Sequence, residues 1–285
     1  MSLKKMCILG AVSLIIFSVS FKESTIAGTL QDIKVRGRLI AGVNTDFPPC
    51  GFLGEKEENK GLDVDIAKIL AKKLLGKENV EFVIVNGKNR IALLKSGRID
   101  AIVASMSITE KRKKEIDFSV PYFISGHLIL VPMHSKIAKY QDLAGLKIAT
   151  IRDSTGDWTI GELVPTAERL WFRSNSDALQ ALRDGRVEAF VQDDALATYL
   201  EQKNPDLRIA GLLPFRPAPY GLGVRKTDKE WLDFVNATLT KMEETGEYHK
   251  LLDKWFGRAR GLLLYSLLEA KGKKSIRELM KLLEE

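Results

Sequence analysis

Residues 102–123 read IVASMSITEKRKKEIDFSVPYF and bring hydroxyls, a helix-start signal and a guanidinium within reach of one another. The end of an apolar strand turns through Ser105, Met106 and Ser107, and Thr109 stands where a helix N-cap belongs, ahead of a charged first turn. Free backbone N–H groups at such a start, with the positive end of the helix dipole, attract an anion. Arg112, three residues past the cap, adds a planar fork that matches a carboxylate in two places. The chemistry on offer is capture of a small carboxylate; the competing reading is a plain strand, turn and surface helix. A second group of the same kind lies in LAGLKIATIRDSTGDW (residues 143–158), where Ser154, Thr155 and Gly156 follow a strand.

The elements that must position these groups repeat. LKSGRIDAIV (residues 94–103) recurs as LRDGRVEAFV (residues 182–191), with Gly97 matching Gly185, Arg98 matching Arg186 and Asp100 matching Glu188. Each copy reads as a helix end, a glycine able to take the left-handed C-cap conformation, and a buried strand. The first strand delivers Ser105 and Ser107, the second Gln192, Asp193 and Asp194, so two facing lobes would bring these side chains together across a cleft. LIAGV (39–43) reads as a strand, NTDFPPCGF (44–52) as the loop at its carboxyl end, and GLDVDIAKILAKKL (61–74) as a helix with Leu62, Ile66, Ile69, Leu70 and Leu74 on its buried face. VEFVIV (80–85) is a strand, followed by a loop with Asn89 and Arg90 and a short helix to Ser96. Strands alternating with helices predict an α/β fold with mostly parallel sheets. GHLILV (126–131) leaves the first lobe and YGLGVRK (220–226) returns, so the chain crosses twice, which makes a hinge. The stretch up to about Arg38 is polar, and one helix is expected from about Asp228 to Lys254.

The ends of the chain and its composition narrow the function. Lys4 and Lys5 precede an apolar run (residues 6–21) and small residues follow at Ala27 and Gly28, the pattern of an export signal, with a retained anchor as the alternative. The run is short beside the ~20 apolar residues of a membrane span. Cys7 opens that run instead of closing it, which argues against a lipoprotein. Without Cys7, Cys50 is alone and no disulfide framework exists. Three histidines argue against a His-rich metal site, and no cofactor is expected. The net charge is +7, but the lysines spread along helical faces, so nucleic acid is not the expected partner. The expected divisions are a signal peptide or anchor (1–28), first lobe (29–125), second lobe (126–220), return to the first lobe (221–257) and a helical extension (258–285). In the extension, Ser275 and Glu278 form a capping box ahead of an apolar stripe at Ile276, Leu279, Met280 and Leu283.

Taken as a set, NTDFPP, GLDVD, NRIALLKSGRIDAIVASMSITEKR, DFSVPYF, the Ser-Thr-Gly turn, VQDD, YGLGVRK and KWFG resemble the polar amino-acid-binding proteins of ATP-binding-cassette importers. The likeness covers roughly residues 32–257. It implies a two-lobed periplasmic-binding-protein fold of the type II kind, two crossover strands as the hinge, and a ligand cleft between the lobes. It further implies a monomeric, non-enzymatic, periplasmic or extracellular receptor whose partners are a free amino acid and permease subunits, with the membrane met only through the N-terminal segment or the permease. Carried over by position, Arg112 and Ser107 hold the α-carboxylate with help from Ser154 and Thr155, and Asp193 accepts from the α-ammonium with help from Ser105. Met106 belongs to the same turn, Phe47 walls the cleft, and Asn44 faces the ligand side chain. Arg90 occupies the position that meets a side-chain carboxylate in relatives taking aspartate or glutamate, which makes an acidic amino acid the first expectation. Neutral Asn44 and acidic Asp153 keep cysteine, cystine and glutamine open. Three departures bear on specificity: Asp153 stands where glycine is frequent, Cys50 where an aromatic is usual, and Leu62 where phenylalanine is usual, with Cys50 and Asp153 bordering the pocket in the family pattern. The alternative from another class is a dehydratase on the same scaffold, with Asp153 or Asp194 as its general acid.

Overall fold

The strand Leu39–Val43 is buried along almost its whole length, as an unbroken apolar run requires, because both faces of its sheet are covered. It belongs to one of two five-stranded sheets in the computed structural model, which describes residues 28–257. The expected export signal and helical extension fall on residues 1–27 and 258–285, outside the described residues. In the first sheet the order is Val80–Ile84, Leu39–Val43, Ala101–Ile102, Gly223–Val224 and Asp117–Phe118. Its first three strands run parallel, and the other two pair antiparallel. The second sheet has the order Glu168–Phe172, Lys147–Ile151, Ala189–Asp193, Phe123–Pro132 and Leu207–Tyr220, again parallel in the first three and antiparallel in the last two.

The helix Leu62–Leu75 covers the first sheet with Leu62, Ile66 and Leu70, all fully buried at the predicted spacing. It starts at Gly61 (φ 125°), where any Cβ would collide with the Cys50 carbonyl, so only glycine lets the Pro48–Cys50 turn lie against the helix start. The repeated unit folds alike in both lobes. Gly97 (φ 73°) and Gly185 (φ 69°) close their helices in the left-handed region.

The links between the sheets are the two long strands Phe123–Pro132 and Leu207–Tyr220, which pair antiparallel from Phe123↔Tyr220 through His127↔Phe215 to Pro132↔Leu207. At the first sheet's end of this ribbon the Tyr122 N–H donates to the Tyr220 carbonyl at 2.9 Å, and Ser107 bridges to Tyr220.

One stretch that composition leaves unassigned gains a structure, and two local expectations are corrected. The polar stretch before Arg38 forms a helix, Thr29–Arg36, because Leu30 and Ile33 give it a buried side and Gly37 (φ 70°) ends it. The single helix after Asp228 is two, Lys229–Glu244 and Glu247–Phe256, broken at Gly246 (φ 72°). NTDFPPCGF is not a simple loop: Asp46–Phe47 and Gly51–Leu53 join Asn59–Lys60 in a small antiparallel sheet.

Candidate functional site

A cavity of about 340 Å³ lies between the two sheets, at the ends of the strands that carry the singled-out residues. Asn44, Phe47, Arg90, Ser105, Ser107, Arg112, Ser154, Thr155 and Asp193 all line it. Met106 does not. Its side chain is fully buried with Leu94, Ile99 and Ile102, on the side of the turn away from the cavity that Ser105 and Ser107 line. Cys50 is corrected likewise: it is buried in the core behind the cleft and borders no part of the cavity.

Thr109 caps its helix as its type predicts, accepting from the Arg112 N–H at 3.2 Å. That helix is a single turn, Glu110–Lys113, so its dipole is small and the anion chemistry rests on the guanidinium instead. Arg112 is 5% exposed, donates to the Ser107 carbonyl at 2.8 Å and the Asp153 carbonyl at 3.3 Å, and lies 5.2 Å over the Trp158 ring. Burial lowers its pKa to about 10, against the pull of Asp193 and Asp153. Opposite it, Ser154 caps Thr155–Leu163 by accepting from the Asp157 N–H at 3.1 Å. Helix geometry leaves the N–H groups of Thr155 and Gly156 aimed outward from that start.

Arg90 is 7% exposed and donates to the Ala104 carbonyl at 3.3 Å, while its Nε is buried with no hydrogen-bond partner. Burial, then the neighbouring charge of Arg112, lowers its pKa to about 9; Asp193 opposes the shift. Both arginines remain cationic at neutral pH, and neither forms an ion pair with a side chain among the described residues. The Ala104 carbonyl also accepts from Asn44 Nδ2 at 3.2 Å.

Asp193, 7% exposed, ends the strand Ala189–Asp193. Tyr220 donates its hydroxyl to Oδ2, and His127 Nδ1 lies 2.9 Å from Oδ1. Ser105 sits at φ 44°, held there by its hydroxyl donating to Asp63 at 2.8 Å. Asp63 is fully buried and also accepts from Tyr122 at 2.6 Å; burial nevertheless raises its pKa to about 6. Asp153 has φ 62°, which accounts for an acidic residue at a place suited to glycine, since aspartate is among the few side chains that tolerate this region.

Several participants escaped the sequence reading. Asp46 accepts from the Asn175 N–H at 2.7 Å across the cleft, and Asn175 Oδ1 accepts at 2.6 Å from Nε2 of Gln192, which the second strand was expected to deliver there. Ser107 and Thr155 hydroxyls also meet across it at 3.2 Å. Asn175 follows the N-cap Ser174, and that helix-start pattern was the available signal. Arg152 and Arg173 line the mouth; no local pattern marked them. No group of residues able to hold a metal ion occurs among those described.

Two mixed α/β lobes, a two-stranded link and polar groups converging from both sides on one cleft define a type II two-lobed solute-binding protein. Residues 39–258 match the model of the bacterial extracellular solute-binding proteins, family 3, and the chain belongs to that family. It is 39% identical over 230 residues to the ABC transporter glutamine-binding protein GlnH of Bacillus subtilis (strain 168), covering 80% of this chain and 84% of that one. The crystal structure of a cysteine-binding protein from Campylobacter jejuni superposes with a TM-score of 0.78 at 31% identity, covering 80% of this chain and 93% of that chain. An ancestral amino acid-binding protein described as a precursor of cyclohexadienyl dehydratase superposes with a TM-score of 0.75 at 36% identity, covering 80% and 99%. Among the described residues, no helix is long and apolar enough to cross a membrane.

Proposed function

We propose that this protein is an exported receptor that captures a free amino acid with an acidic side chain, glutamate or aspartate, and hands it to an ATP-binding-cassette permease. The observation that carries the side-chain assignment is Arg90, a buried cation with an unpartnered Nε on a cavity already supplied with one buried cation and one buried anion. A zwitterion's carboxylate pairs with Arg112, Ser107 and the helix start at Ser154 and Thr155, and its ammonium pairs with Asp193 and the free lone pairs of Ser105. That leaves Arg90 unmatched, and a side-chain carboxylate supplies the missing charge. Binding energy drives closure, because only the closed form lets both lobes reach the ligand; Asp46–Asn175, Ser107–Thr155 and Arg112–Asp153 are the contacts such closure makes.

Glutamine is the second reading, favoured by the likeness to a glutamine-binding relative and by the Ala104 carbonyl and Asn44, which suit an amide. A receptor in place of a dehydratase is supported by Asp194, which accepts from Ser125 at 2.6 Å outside the cavity, and by Asp153, which gives the site its backbone carbonyl. A thermal-shift screen of the mature chain against the common amino acids tests the assignment. A ligand at 100 times its Kd adds about 2.7 kcal/mol to stability. Glutamate or aspartate is expected to give the largest shift, and no shift with any amino acid overturns the receptor reading.

A further inference from the structure

Asp193 occupies the N-cap position of the helix Asp194–Lys203, where an aspartate ordinarily turns back to accept from the N–H groups two and three residues on. It makes no such bond. Its carboxylate is turned instead toward the cleft and held from behind by the ribbon that joins the lobes. Tyr220 donates to Oδ2, and His127 Nδ1 lies 2.9 Å from Oδ1, close but not aligned for a hydrogen bond. Tyr220 and His127 are 0% and 1% exposed, sit on opposite strands of the ribbon and line no part of the cavity. The Tyr220 ring stacks on Phe123 with centroids 5.5 Å apart, and His127 meets Phe215 edge-on at 5.8 Å, so both rings are fixed by packing. Burial, then the charge of Asp193, pushes the Tyr220 pKa well above its ordinary value, so the hydroxyl remains a donor at physiological pH.

We propose that Tyr220, backed by His127, is a positioning residue: it withholds Asp193 from capping its own helix and presents the carboxylate to the ligand's α-ammonium. The inference rests on the amino-acid reading above. A carboxylate with two local choices, helix cap or cleft, is decided by the hydroxyl that bonds it in only one of them. Because Tyr220 pairs with Phe123 where the ribbon meets the first sheet, the contact that reads the ammonium is fastened to the element joining the lobes.

The test uses Tyr220→Phe in the full chain. Without ligand, 1H–15N spectra are expected to show the Ala195 and Leu196 amide protons moving downfield as Asp193 turns to cap them. Calorimetry is expected to show L-glutamate and L-glutamine each binding about tenfold more weakly. Unmoved amides overturn the proposal even where affinity falls, since loss of packing alone explains such a fall. Moved amides with affinity unchanged overturn it too. Asp193→Asn separates this claim from the reading beneath it. If that variant binds both amino acids as the parent does, the ammonium assignment itself fails; if it loses them while Tyr220→Phe does not, only the positioning claim falls. His127→Leu, which loosens the same carboxylate from the other strand, supplies the same two readouts should Tyr220→Phe fold poorly, with smaller changes of the same sign expected and none contradicting the account.

Discussion

In both lobes a helix ends on a left-handed glycine, and an acidic residue three positions later accepts from the first N–H groups of the neighbouring strand. Asp100 bonds the Ile40 N–H at 2.7 Å, and Glu188 bonds the Lys147 N–H at 2.8 Å. Beyond this shared unit the lobes diverge. The first supplies the buried cations, Arg90 and Arg112, and keeps its buried acids occupied away from the cavity, Asp63 by Ser105 and Tyr122 and Asp100 by Ile40 and Arg36. The second supplies the buried anion at the cleft, Asp193. One scaffold used twice thus presents opposite charges to a shared space, and a zwitterion is the ligand whose two ends match both faces. The repeat sets where the strands end, while the charges at the cleft come from residues outside it: Arg90 before the first copy, Arg112 and Asp193 beyond the two copies.

The sharpest way to break this comparison is to remove one charge from each lobe. Arg112→Ala and Asp193→Ala are each expected to weaken amino-acid binding by about 2–5 kcal/mol, measured by calorimetry, with the fold retained. If both variants bind within threefold of the parent, charge segregation between the lobes has no role in recognition.

The next effect belongs to the first lobe alone. Burial raises the Asp63 pKa to about 6 from 3.8, so the native state holds this proton more tightly than the unfolded chain does. The Asp63 contribution to stability is therefore greatest below the unfolded pKa and is lost as pH rises toward 6. Urea denaturation from pH 4 to pH 7 should show a decline in the parent that is shallower in Asp63→Asn. Identical slopes would mean that Asp63 titrates alike folded and unfolded.

The smallest effect contrasts the two residues with positive φ beside the cleft. Ser105→Gly is expected to lower stability by about 1–3 kcal/mol, since it removes the bond to Asp63. Asp153→Gly is expected to leave stability unchanged or to raise it by less than about 1 kcal/mol, since glycine adopts the same conformation without strain. Equal losses in thermal melts would show that both side chains matter to the turn.

The fold was legible because its signals are local. Leu62, Ile66 and Leu70 announce a helix by spacing, and the Gly97 and Gly185 copies announce equivalent helix ends. The cleft residues were legible where a motif carried them, as with Arg112, Ser107 and Asp193. Tyr220, His127 and Asp46 were not, because their roles come from pairings between distant segments, such as Asp46 with Asn175, that no local pattern encodes. Met106 and Cys50 misled for a related reason: neighbours of cleft residues point the other way, into the core. The break at Gly246 had a local signal, since the run EETGE (243–247) interrupts the apolar periodicity between Met242 and Tyr248, but one interruption without a proline does not by itself separate two helices from one.

Calorimetry of the parent and Arg90→Gln with L-glutamate and L-glutamine measures whether Arg90 reads the ligand side chain. The parent is expected to prefer glutamate, and the variant to lose about 2 kcal/mol or more of glutamate binding, roughly 30-fold, while glutamine changes by less than threefold. Equal losses for the two ligands, or a parent that binds glutamine more tightly than glutamate, would contradict the assignment of Arg90 as the reader of an acidic side chain.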